Sequence, residues 1–371
     1  MKKKSILILT AFPPNSKTAG QNYTKQLIIQ LSTDFHIDIV YFDYENHDGY
    51  NFNATTVRYI RKIPLTKWKK MTNALKMPFI HPFFSCRFSF DLLKWLKKIS
   101  NRYEIIYFDF SQTFIFASMI EHHQKILMCH DIIYQKYSRA KELPFNNVNQ
   151  KLILLSESYL LKKSYGNIFC LNKKDKAIIK KTYGLKSYHV DLILDEKVQY
   201  CLLNKVCNYF CLFGSWNRPE NIESLLWVIH HLYDHLPDDM KIMVIGGGLP
   251  KEIKQKNNKD KIDFTGFVDN PYPLIASSKA LLAPIFHGAG IKVKVIEALA
   301  CGTPVIGTSV ALEGIEFKHE LCIQANDKDV FLGAMNTLKS IHLTDKQRLK
   351  QEFLLHYPQQ QFSNILKKII E

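Results

Sequence analysis

Residues 281–315 read LLAPIFHGAGIKVKVIEALACGTPVIGTSVALEGI. An apolar run ends near Phe286, two glycines follow, and a helical pattern starts at about Ile291 and stops at Gly302. A second apolar run, PVIGT, comes next. Strand, glycine loop, helix and strand in this order make one unit of a parallel, doubly wound sheet. The loop His287–Gly290 lets backbone approach a ligand closely. The first free amides of the helix, around Gly290, Ile291 and Lys292, form an anion site, and Lys292 and Lys294 add positive charge to it. One turn further in, Glu297 can accept hydrogen bonds from two vicinal hydroxyls, as a ribose offers. The pattern therefore points to a nucleoside diphosphate. A plain helix with solvated lysines has the same spacing.

Working outward, the C-terminal half repeats this alternation. NYFCLFGS from Asn208 is a strand ending in a loop, and NIESLLWVIHHLYDHLP is an amphipathic helix ended by Pro237. KIMVIGGG, KIDFTGFV and ALLAPIF are further strands. The N-terminal half has its own series: an apolar run Ile6–Thr10, the turn-rich FPPNSKTAGQ, the helical YTKQLIIQLSTDF, then the strands HIDIVYFD, EIIYFDF, KILMCHD and NIFCLN. Two α/β series imply two doubly wound sheets. The expected domains are 1–185 and 208–348, with 186–207 as linker and 349–371 as a C-terminal helix that packs back on the first domain. Ligands of such sheets bind at the carboxyl ends of the strands, so two facing sheets would place them in a cleft.

The chain has 371 residues, enough for two domains, and a formal net charge of +16, which suits a polyanionic partner. Its eight cysteines form no C-x-x-C pair and no zinc spacing, and they are expected as reduced thiols in a cytoplasmic protein. The opening MKKKSILILTAFPP is too short in its apolar part for a signal segment, and no transmembrane helix is expected anywhere.

The C-terminal half resembles family 4 of the retaining nucleotide-sugar glycosyltransferases. The resemblance rests on FGSWNRPENIESLLWV, VIGGGLP, IDFTGFVDNPYPLIASSKALLAPI and the stretch quoted first, all in the family's order. It implies the GT-B fold, two Rossmann-like domains facing across a cleft. It also implies a donor bound mainly by the second domain, no metal or other cofactor, and retention of anomeric configuration. By the same resemblance Glu297 binds the donor ribose, and Gly214 and Ser215 lie near its diphosphate. Gly248 belongs to the nucleotide loop, Phe267 and Val268 touch the base, and Gly290, Ile291 and Lys292 receive the sugar and diphosphate. In the first half FPPNSKTAGQNYT and CHDIIYQKYSRA are similar to the family's first loop and strand-end motif. That similarity gives Gly20 a role at the diphosphate and places His130 beside the reacting sugar carbon.

Three positions depart from the family. Ala289 stands where it has its first glutamate, Ser215 where it has an arginine, and Asn221 where it has a lysine. Lys292, Lys294 and Arg218 are candidate replacements for that basic clamp, and G-x-G-x-K-x-K resembles a branch lacking the first glutamate. Asp327-Lys328-Asp329 looks like a metal motif but stands at a helix start, where Asp is a common cap.

Residues 58–98 contain eleven Arg and Lys against one acid, Asp91, interleaved with Trp68, Phe79, Phe83, Phe84, Phe88, Phe90 and Trp95. Basic and aromatic residues together suit an anionic membrane surface; a solvated helical face reads the same way. The expected function is transfer of a sugar from a nucleotide-diphosphate sugar to a lipid-linked or saccharide acceptor, in bacterial-type cell-surface polysaccharide or glycolipid assembly. The enzyme would be peripheral at the inner face of the cell membrane, with no specific nucleic-acid partner. Two alternatives stay open: an inactive family member acting as a partner subunit, and a basic nucleic-acid-binding protein.

Overall fold

A computed structural model describes residues 3–44, 51–139, 146–288, 290–357 and 361–370. The chain divides into two compact units, Met1–Ile193 with Gln359–Glu371, and Leu194–Pro358.

The first unit is built on a seven-stranded sheet, ordered β3-β2-β1-β4-β5-β6-β7 and parallel throughout. Its strands are β1 (Lys4–Thr10), β2 (Phe35–Asp43), β3 (Tyr59–Pro64), β4 (Ile105–Asp109), β5 (Lys125–Cys129), β6 (Asn167–Cys170) and β7 (Ser187–His189). The central strands are continuous apolar runs because helices cover both faces; all five residues of β4 and of β5 are buried. β3 is a correction to the sequence reading. The start of the basic segment is an edge strand, in register with β2 from Asp38↔Tyr59 to Asp43↔Pro64, with no fully buried residue. Tertiary pairing overrides its charge, and an edge tolerates the exposed cations.

The second unit holds a six-stranded parallel sheet, ordered β10-β9-β8-β11-β12-β13. Its strands are β8 (Tyr209–Phe213), β9 (Lys241–Ile245), β10 (Ile262–Gly266), β11 (Leu281–Ala283), β12 (Val305–Gly307) and β13 (Cys322–Gln324). The helix Val293–Ala300 ends at Cys301, and Gly302 takes φ +75°, as a helix stop requires. A Cβ there would lie 2.5 Å from the Lys346 carbonyl oxygen.

The segment 186–207 is partly structured: it opens with β7 and carries a short helix, Glu196–Gln199. The tail comprises two helices. Leu343–His356 buries Leu349 and Phe353 in the second unit, whereas Gln361–Ile370 belongs to the first, where Phe362 meets Tyr107 and Phe169. The eight cysteines are unpaired. Among the described residues, no helix is long and apolar enough to cross a membrane.

Candidate active site

In the second unit the loops after β8, β9, β10 and β11 emerge at the carboxyl edge of one parallel sheet. The β8 and β9 loops are laced together by backbone. Gly214 N donates to Ile245 O at 3.1 Å, and Trp216 N donates to Gly247 O at 2.9 Å. Gly246 has φ +121°, and a Cβ on it would sit 2.0 Å from Gly214 O, so only glycine fits. Gly248 continues this loop beside the Asn217 amide. Ser215 Oγ turns to Asn217 Oδ1 at 2.8 Å, and Phe267 stands 79% exposed beside Gly247, with Val268 half-buried next to it.

Lys294 marks the centre of the basic cluster. Its ammonium donates to Asn221 Oδ1 at 2.7 Å, and Asn221 Nδ2 donates to Ser215 O, also at 2.7 Å. A Cβ on Gly214 would meet both Asn221 Nδ2 (2.9 Å) and Lys294 Nζ (3.1 Å). Asn221, treated in the sequence as a lost lysine, is thus the residue that aims Lys294 at the β8 loop. Burial pulls the Lys294 pKa down to about 8, opposed by Glu220 and Glu297 and assisted by Arg218 and Lys292. Arg218 precedes the helix Pro219–His231 and is half-exposed, 3.9 Å from Glu220. Lys292 is the N-cap residue of Val293–Ala300 and donates back to Gly290 O at 2.8 Å. Gly290 (φ +70°) is buried and Ile291 half-buried in that loop; Ala289 lies outside the described residues.

Glu297 is buried, and its Oε1 accepts from the Tyr272 hydroxyl at 3.0 Å. Desolvation pushes its pKa up to about 7; the Tyr272 bond and Lys294 pull it down, and Asp195 pushes it further up. Tyr272 is a partner the sequence did not single out. Asp327 caps the helix Lys328–Leu338 through Val330 N at 3.0 Å, as cap chemistry expects.

In the first unit, His130 follows β5 and Gly20 lies in the first turn of the helix Ala19–Leu31. The residues that join them were missed in the sequence. Asp109, at the end of β4, is fully buried; its Oδ1 meets His130 Nε2 at 2.8 Å. Its Oδ2 accepts from Thr10 at 2.9 Å and Thr24 at 2.6 Å. A carboxylate only accepts, so the contact has Nε2–H donating to Asp109 and leaves Nδ1 on the far side of the ring. Phe110 adopts φ +64°, strained for a bulky residue, and stacks on His130 with centroids 3.9 Å apart and planes at 8°. Its ring fills the space that a Cβ on Gly20 would need, at 3.0 Å. An aspartate in EIIYFDF was the available signal, but nothing local distinguishes it from any strand-end acid.

Residues 207–340 match the family model described as glycosyl transferases group 1. A Klebsiella pneumoniae protein described as an uncharacterized 44.6 kDa protein in the cps region is 23% identical over 137 residues. That stretch is 34% of this chain and spans only 35% of the relative's length. Among solved structures, Anabaena HepE in complex with UDP and glucose superposes with a TM-score of 0.69 at 12% identity, covering 98% of this chain and 99% of that one. WaaG, a glycosyltransferase involved in lipopolysaccharide biosynthesis, gives a TM-score of 0.63 at 12% identity over 93% and 94% of the two chains. Such identities establish likeness of fold alone. The segment 207–340 is thus of the glycosyl transferases group 1 type, and the chain's two-sheet α/β fold matches that of GT-B glycosyltransferase structures.

Proposed function

We propose that this chain is a retaining glycosyltransferase that takes a nucleoside diphosphate sugar as donor. The observation that carries the reading is Lys294, held by Asn221 beside Gly214 and one helical turn from Glu297. A half-buried ammonium whose one hydrogen-bond partner among the described residues is a neutral amide is poised for an anion. Lys294, with Lys292, Arg218 and the amides at the start of Val293–Ala300, meets the diphosphate; Glu297 takes the ribose hydroxyls; Phe267 and Val268 border the base.

In the reaction, the bond from the anomeric carbon to the diphosphate oxygen breaks, and the acceptor oxygen bonds to the same face of that carbon. The acceptor proton passes to the departing phosphate oxygen. Negative charge grows on the leaving diphosphate, where the cations and helix amides act; no metal ion is required for this role. His130, held by Asp109, presents Nδ1 to a hydroxyl of the transferred sugar.

The acceptor belongs to the first unit. The helix Lys67–Leu75 exposes Trp68 (76%), Met71 (61%) and Leu75 (78%) at helical spacing, and Phe79 beyond it is also exposed. With Lys67, Lys69 and Lys76 alongside, this face suits peripheral attachment to an anionic membrane and a lipid-linked acceptor at the inner face of the cell membrane. Phe84 and Phe88, counted in the sequence with the interfacial aromatics, are core residues instead. The cps-region relative and WaaG support a place in cell-surface polysaccharide or glycolipid assembly.

The test is calorimetric titration with UDP and other nucleoside diphosphates, followed by NMR of the product formed from the matching sugar donor. Binding of UDP with formation of a product of retained anomeric configuration, unaffected by EDTA, is expected. Absence of any nucleotide binding overturns the reading.

A further inference from the structure

Arg87 lies in the turn between the short helix Pro82–Ser85 and the helix Phe90–Ile99 and is 6% exposed. Its Nε donates to Ala11 O at 3.3 Å, one Nη to Cys86 Sγ at 3.5 Å, and the other Nη to the Tyr44 hydroxyl. The guanidinium carbon lies 4.9 Å from the Phe12 ring centre and 5.7 Å from that of Tyr44. Every one of these partners is neutral. Among the described residues no carboxylate forms an ion pair with Arg87. An arginine cannot relieve its burial by losing a proton, so an unpaired buried guanidinium is costly to the fold.

A second cation shares the place. Lys70 Nζ sits 4.5 Å from the centre of the Tyr44 ring, half-buried and likewise without a carboxylate partner among the described residues. Its pKa is lowered by desolvation first and by the charge of Arg87 second. Two mutually repelling cations on one tyrosine, one of them buried, form a site that an anion would complete. Tyr44 itself is anchored, its hydroxyl donating to Ala11 O at 3.0 Å.

The site is continuous with the residues placed at the reacting sugar. Phe12, against Arg87, makes an edge contact of 5.0 Å with Phe110, and Phe110 stacks on His130 at 3.9 Å. On its other side Lys70 belongs to the helix whose exposed Trp68 and Met71 flank it in sequence.

We propose that Arg87 and Lys70, with Tyr44 between them, bind a phosphate group of the acceptor. A planar guanidinium offers a fork to two phosphate oxygens, and an ammonium supplies the second charge of a dianion. Calling the ligand an acceptor rests on the glycosyltransferase reading; the anion site itself does not. The phosphate comes either from a lipid headgroup or from a phosphorylated saccharide.

The experiment is titration of the full chain, without nucleotide, with methyl phosphate. Parent, Lys70→Ala and Arg87→Lys are compared, and UDP is titrated separately. Lys70 is half-buried on a short helix, so its truncation spares the fold even if the buried Arg87 variant fails to fold. Lys70→Ala is expected to weaken methyl phosphate about tenfold, the scale of one charge-assisted hydrogen bond, and to leave UDP affinity unchanged. Glucose 1-phosphate and short-chain phosphatidate, each below aggregation, then identify the source: whichever gains more over methyl phosphate in a Lys70-dependent way is the natural class. Equal methyl phosphate affinity in parent and Lys70→Ala, or none in the parent, overturns the proposal. Lys70-dependent phosphate binding without any UDP binding upholds the site and sinks the transferase reading.

Discussion

His130 Nε2 lies 2.8 Å from Asp109 Oδ1, and the other oxygen of the same carboxylate takes the hydroxyls of Thr10 and Thr24. Strands β1, β4 and β5 are neighbours, which brings Thr10, Asp109 and His130 to one sheet edge. The imidazole is thus oriented by a group that touches no substrate in the proposed mechanism. Asp109→Asn replaces the charged acceptor with a neutral amide and weakens its hold on the ring. Turnover is expected to fall by about a hundredfold or more, with UDP affinity retained. A kcat equal to the parent's shows that His130 orientation is irrelevant.

Lys294 should distinguish phosphate from nucleoside. Lys294→Ala removes the charge aimed at the β8 loop but leaves Glu297 and Tyr272 in place. UDP affinity should drop by roughly ten- to a hundredfold while uridine affinity hardly changes. Equal losses for both ligands mean that Lys294 acts on the fold and not on the diphosphate.

The same two residues set a pH profile. Glu297, pushed up to about 7 by burial, must ionise to accept two ribose hydroxyls, so nucleotide affinity should rise as pH climbs through that value. Lys294, drawn down to about 8, must stay protonated to meet the diphosphate, so affinity should fall again above it. Titrations from pH 6 to 10 should be bell-shaped for UDP and keep only the rising limb for uridine. A flat profile for both contradicts the assignment.

Stability carries the sign of the Glu297 shift separately. The folded-state pKa lies above the unfolded value, so the native form binds more protons between roughly pH 4.5 and 7 and loses stability as pH rises across that window. Glu297→Gln keeps an acceptor for Tyr272 and removes the buried charge. At pH 8 it should be more stable than the parent by on the order of 2 kcal/mol in urea denaturation, and near parity at pH 4. A destabilised variant at pH 8 indicates that the ionised carboxylate is held by compensating bonds.

Membrane attachment has an electrostatic and an apolar part. Changing Lys67 and Lys69 to Glu, with Lys70 left intact, should release the protein from phosphatidylglycerol vesicles at about 0.15 M salt, where screening acts over about 8 Å. Trp68→Ser with Met71→Ser should weaken binding at every salt concentration. Cosedimentation indistinguishable from the parent's in both variants leaves the exposed face without a lipid role.

The sequence alone carried the two α/β series, the glycine loops at strand ends and the helix that bears Lys294 and Glu297. Those features are local: a buried parallel strand is a short apolar run, and a helix stop is a glycine such as Gly302, so neighbouring residues suffice to read them. The sequence also carried +16 of charge, but not its placement; β3 and the buried Phe84 and Phe88 came from packing. Only the tertiary structure decided which distant groups meet. Asp109 reaches Thr24 across 85 positions and His130 across 21, and Asn221 aims Lys294 across 73. Arg87 meets Tyr44 across 43. An aspartate at the end of one strand and an arginine in one turn look like any others until strand order sets their neighbours. That order, β1 beside β4 and β4 beside β5, follows from crossover connections and burial summed over the whole sheet, which no short stretch of sequence contains.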